Sequence, residues 1–93
     1  MSYIARLVAI TKVSTVTRDI IPFVHFQAQQ KGIEVNDDTK VAILQIENIP
    51  SYHIVFLDNE MNIEELEEEL GKNDTILGRE TRAILMKQMK TSD

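Results

Sequence analysis

DIIPFVHFQAQQKG, residues 19–32, is the stretch on which the fold turns. As a helix it would join two strands through a covering layer; as a strand it would leave a mostly β protein. Asp19 is placed to cap a helix, Pro22 falls in a first turn where its missing N–H costs little, and Gly32 supplies a C-terminal stop. These boundary signals favour a helix over residues 20–31. Phe23, His25 and Gln27 nevertheless alternate with Val24, Phe26 and Ala28 as they would in a strand, and that reading stays open.

On the N-terminal side, YIARLVAITKV (3–13) is rich in β-branched and apolar residues and reads as a long central strand. On the other side EVNDD (34–38) is a polar turn. KVAILQIENIPSYHIVFLDNE (40–60) then reads as two strands, Val41–Glu47 and Tyr52–Asp58, with Pro50 in the connection because it cannot join a ladder. In NIEELEEELGK (62–72), Asn62 with Glu65 makes a capping box, Gly71 closes the segment, and Ile63, Leu66 and Leu70 form one apolar stripe. A connector follows, with room for a very short edge strand at Ile76 and Leu77. A last helix from Arg79 to about Lys90 then presents Ile84, Leu85 and Met89 inward and Arg79, Arg82, Lys87 and Lys90 outward. The expected class is α+β in a single domain spanning 1–93. It has a small antiparallel or mixed sheet, helices packed on one face, and the ferredoxin-like order β-α-β-β-α followed by a C-terminal helix.

A chain of 93 residues, 43% apolar and 27% charged, suits one globular domain with a modest core. It has no cysteine, which excludes disulfides, thiol nucleophiles and cysteine-held metal clusters. Arg6 and Lys12 interrupt the opening apolar run well short of a signal-peptide core or a membrane span, so a cytoplasmic protein without a membrane partner is expected. The net charge of −5 equals the contribution of Glu64, Glu65, Glu67, Glu68 and Glu69, because the other ten acidic residues balance ten basic ones. The protein is therefore polarised rather than uniformly acidic.

Catalytic motifs are missing. His25 and His53, the two histidines, have no neighbouring nucleophile or metal-ligand spacing, and an enzyme would need them to meet in space, or one of them to meet Asp58 or Glu60. Gly32, Gly71 and Gly78 are too scattered for a phosphate loop, and the Asn and Asp clusters suit turns better than calcium, so neither cofactor nor metal is expected. The basic residues of the last helix stand in an acidic chain with few aromatics, so nucleic acid is not the expected partner. Arg6, His25, Tyr52 and His53 are the polar groups best placed in apolar segments to orient a small ligand. Glu64, Glu65, Glu68 and Glu69, with Arg79 and Arg82, are the candidate contact surface, either neutralising one another within the chain or meeting across two copies.

YIARLVAITKV, IIPFVHFQAQQKGIEVNDDTKVAI and SYHIVFLD together resemble a family of small uncharacterised proteins of methanogenic archaea, over about residues 3–70. The resemblance implies an archaeal cytoplasmic protein with no known activity, and it transfers no functional residues. The expected function is a non-enzymatic interaction or assembly module that self-associates as a dimer or binds another protein; the alternative is a small-molecule-binding regulatory domain.

Overall fold

The computed structural model describes residues 2–59 and 62–89. The readings that involved Glu60 and Lys90 fall outside them. Strand β1 (Tyr3–Lys12) runs into a 3-10 turn at Val13–Thr15, and helix α1 (Ile21–Lys31) follows. Next come β2 (Lys40–Ile46), β3 (Tyr52–Phe56), α2 (Ile63–Gly71), β4 (Thr75–Leu77) and α3 (Arg79–Gln88). The α+β class and the element order are as expected, with the short strand beginning at Thr75. The sheet order is β3-β2-β1-β4: β2 lies antiparallel to both β1 and β3, and β4 runs parallel to β1. Because β1 and β2 are direct neighbours, the split βαβ pairing of a ferredoxin-like sheet is not formed.

The stretch 19–32 is a helix, and its C-terminal signal works as read: Gly32 adopts φ 67°, and its N–H reaches the carbonyls of Ala28 and Gln29. The N-terminal cap differs. Ile20 occupies the cap position, while the Asp19 carboxylate accepts a 2.6 Å hydrogen bond from the Thr17 hydroxyl. In α2 the Asn62 side chain does accept from the Glu65 N–H, at 2.9 Å. Gly71 is the last helical residue rather than the turning point; Asp74 takes the left-handed conformation, φ 60°, as Asn48 does in the β2–β3 turn at φ 65°.

The helices do not share one face. Ala42, Leu44 and Ile46 of β2, with Val55 and Ala5, pack against Ile63, Leu66 and Leu70 of α2 and against Leu85 and Met89 at the end of α3. Val41, Ile43, Ile54 and Phe56 point the other way, into Ile20, Val24 and Ala28 around α1. The physical cause is the near-continuous apolar run VAILQI, which can bury itself only if both sides of the strand are covered. In α3 the buried stripe is Thr81, Leu85 and Met89, and Ile84, expected inside, is exposed. Thr81 is buried for a reason: its hydroxyl accepts the N–H of Leu7 at 2.8 Å, on the edge of β1 beyond the end of β4.

Candidate functional site

At the β3 edge of the sheet, α1 supplies a side chain that behaves like a strand. The Gln27 carboxamide donates to the carbonyl of Tyr52 and accepts the N–H of Ile54, both at 2.8 Å. Those two backbone groups face away from β2 and would otherwise form an open edge. Gln27 thereby draws the C-terminal half of α1 around the sheet, where Lys31 meets Glu69 of α2: its ammonium lies 2.7 Å from one carboxylate oxygen and 2.8 Å from the other.

Beneath this junction lies a half-open cleft of about 350 Å³. Its floor is the hairpin end of the sheet, with Tyr3, Ile46 and His53; α1 contributes Phe26, Gln27 and Lys31, and α2 contributes Glu69 and Leu70. His53 alternates with Val55 on the α2 side of β3, and its Nε2 stands 3.7 Å from a Glu69 oxygen. That nitrogen is buried and has no hydrogen-bond partner. Burial pushes the His53 pKa below its ordinary value, the Glu69 carboxylate works against this, and the Lys31 ammonium adds to it. Burial therefore disfavours the charged ring, which lies beside the Lys31–Glu69 ion pair.

Of the ligand candidates, Tyr52 and His53 line this cleft. Tyr52 also packs edge-on against Phe23, with ring centroids 5.3 Å apart. His25 is exposed and borders a separate shallow groove with Arg18, Val35 and Asp37. Arg6 lies elsewhere again, on the opposite sheet face, 3.8 Å from Glu47. The four residues thus do not converge. Sequence reasoning missed Gln27, Lys31 and Phe26; Gln27 and Lys31 sit four apart on one helix, but nothing local indicates that they face an edge strand and another helix.

The charged candidates also divide. Arg82 donates to both oxygens of Glu67, at 3.0 and 3.3 Å, so α2 and α3 neutralise each other side by side. That hydrogen bond and the neighbouring charge hold the guanidinium pKa above its usual value. Glu69 is taken by Lys31, whereas Glu64, Glu65, Glu68 and Arg79 form no ion pair among the described residues. Also among the described residues, no group of three His, Cys, Asp or Glu side chains could hold a metal, and no helix is long and apolar enough to cross a membrane.

A second surface feature is the part of the α1-side face that α1 does not reach. Val8 is an extra residue in β1, where the pairing with β2 slips between Leu7 and Ala9, and it is 49% exposed. Ile76 of β4, paired with Ile4, is 54% exposed.

Fold and site together define a small α+β domain with a mixed four-stranded sheet, a cleft at the hairpin end lined by both polar and apolar side chains, and a half-bare face. The chain belongs to a family described as a domain of unknown function (DUF749), whose model matches residues 3–89. It is also similar to an uncharacterised protein of Methanocaldococcus jannaschii, at 31% identity over 91 residues, covering 97% of this chain and 80% of that relative. This agrees with the resemblance to small archaeal proteins. No solved structure matches the chain significantly.

Proposed function

We propose that this is a cytoplasmic, non-catalytic domain that acts through protein contacts and pairs with a second copy across the bare half of its sheet. The observation that carries the reading is the apolar pair Ile4 and Ile76, on a sheet face whose other half is covered by α1, with the exposed bulge residue Val8 further along β1. Arg6 and Glu47 flank that group on one chain, so a two-fold contact can place each against its counterpart in the other copy. Commitment of Arg82 to Glu67 within the chain argues against a dimer built on the α2 and α3 charges. The separation of His25 from His53, which border different clefts, supports a role other than catalysis by that pair.

Solution mass by light scattering tests the proposal at ~50 mM and ~500 mM salt, a range over which exposed charge pairs become strongly screened. The expected result is a dimer at both salts that becomes monomeric in Val8→Asp and Ile76→Asp with unchanged circular dichroism. A wild-type monomer at both salts would overturn it.

A second reading, a small-molecule regulatory domain, is favoured by one specific observation: the unpartnered Nε2 of His53 beside a Lys31–Glu69 pair in a cleft of ligand size.

A further inference from the structure

We propose that the cleft between the C-terminal ends of α1 and α2 binds a small zwitterion, an α-amino acid with an apolar side chain. This rests on the second reading above and names the ligand chemistry that the cleft fits.

The first argument is charge. Lys31 and Glu69 are the oppositely charged groups of the lining, bound to each other at 2.7 Å, and His53 lies beside the pair, with burial disfavouring its charged form. The lining as a whole is electroneutral. A simple anion entering here is attracted by Lys31 and repelled by Glu69, and a simple cation meets the reverse. A molecule carrying both charges is attracted twice: its carboxylate lies against the Lys31 ammonium, its ammonium against the Glu69 carboxylate, and the four charges alternate in sign. It also brings no net charge into a partly buried site.

The second argument is the hydrogen-bond inventory. The Lys31 ammonium has three protons, of which Glu69 occupies at most two, leaving a donor for an incoming carboxylate. His53 Nε2 and the nearer Glu69 oxygen are 3.7 Å apart, and both can act as acceptors when the ring carries its proton on Nδ1. An incoming ammonium donates to the Glu69 carboxylate, whose side chain is 31% exposed, and so sits beside the buried, unpartnered His53 nitrogen.

Size and apolar lining give the third argument. A cleft of about 350 Å³ is at the small end for ligand sites, suited to a single amino acid rather than a nucleotide. Phe26 is 60% exposed at its mouth, and Tyr3, Ile46 and Ile49 lie along it, forming an apolar wall for the ligand side chain. Exposure of so large an aromatic ring is otherwise unfavourable.

The test is amide NMR of the full chain titrated with L-phenylalanine, and in parallel with 3-phenylpropanoate and 2-phenylethylamine, which keep the ring but only one charge each. The expected result is saturable shifts at Lys31, Tyr52, His53 and Leu70 with phenylalanine, and binding at least about tenfold weaker for either single-charge analogue. In Glu69→Gln, phenylalanine should lose about tenfold in affinity while 3-phenylpropanoate loses nothing, because its repulsion is gone. Analogues that bind as tightly as phenylalanine would overturn the zwitterion assignment and leave the cleft reading standing. Absence of shifts with all three would overturn both. The wild-type comparison decides the matter even where a variant fails to fold.

Discussion

The two faces of the sheet are finished to different degrees. On one, α2 and α3 together cover Ala5, Leu7, Leu44, Ile46, Val55 and Leu77. On the other, α1 covers β2 and β3 but stops short of β1 and β4, so Ile43 is buried and Ile76 lies half in water. Burial of a strand residue is thus decided by where the helix crosses, since Ile43 and Ile76 are apolar β-branched residues on the same face, one buried and the other 54% exposed. Two open stretches of strand, by contrast, are treated alike: Gln27 closes the outer edge of β3, and Thr81 takes the Leu7 N–H where β1 runs past the end of β4. Each stretch offers unpaired backbone groups that a second chain could engage, and one side chain is enough to occupy them.

The sharpest way to break this comparison is truncation within the covered regions. Leu44→Ala, at a fully buried position, is expected to cost about 2–5 kcal/mol in denaturant unfolding, and Ile43→Ala a comparable amount under α1. If Ile43 proves much cheaper, α1 packs loosely and the two faces differ more than their burial indicates. Next in size is Gln27→Ala, which strands the carbonyl of Tyr52 and the N–H of Ile54, and is expected to cost about 1–3 kcal/mol. Gln27→Glu keeps the acceptor for Ile54 but turns a carboxylate oxygen toward the Tyr52 carbonyl, and at neutral pH should cost at least as much as alanine in the same measurement.

A smaller effect is expected from pH. Burial holds the folded-state pKa of His53 below the ordinary 6.5, so the unfolded chain binds this proton more readily. Stability from this group is complete above about pH 6.5 and declines as the pH falls from there through the folded-state value. Unfolding midpoints between pH 8 and pH 5 should therefore slope less in His53→Gln than in wild type. Equal slopes would mean that the ring is not desolvated where α1 and α2 meet. The smallest effect belongs to the bare half: Val8→Ala should change the unfolding free energy of the isolated chain by less than about 0.5 kcal/mol. A cost near that of Ile43→Ala would show that something covers this half.

Much of the architecture was legible locally. The helix at 19–32 announced itself through Pro22 and Gly32, and the α2 start through Asn62, because caps and stops are properties of a few consecutive residues. The candidate site was legible only in part. Tyr52 and His53 were named but linked to His25 and Arg6, which border other surfaces, while Gln27 and Lys31 passed as ordinary polar residues of a helix. Glu69 was assigned to a surface cluster, yet it is the one glutamate of NIEELEEELGK that pairs with α1.

What the sequence by itself determined are the quantities that depend on neighbours along the chain: the elements and their order, the Gly32 stop of α1 and the Asn62 cap of α2, and the electroneutral body with five extra glutamates. Tertiary structure alone decided the strand order, the split of the helices between faces, and the meeting of Lys31, His53 and Glu69. Residues 31 and 69 are 38 positions apart. No local preference encodes their contact; it forms where Gln27 ties α1 to the β3 edge, with Lys31 against Glu69 and His53 beside the pair.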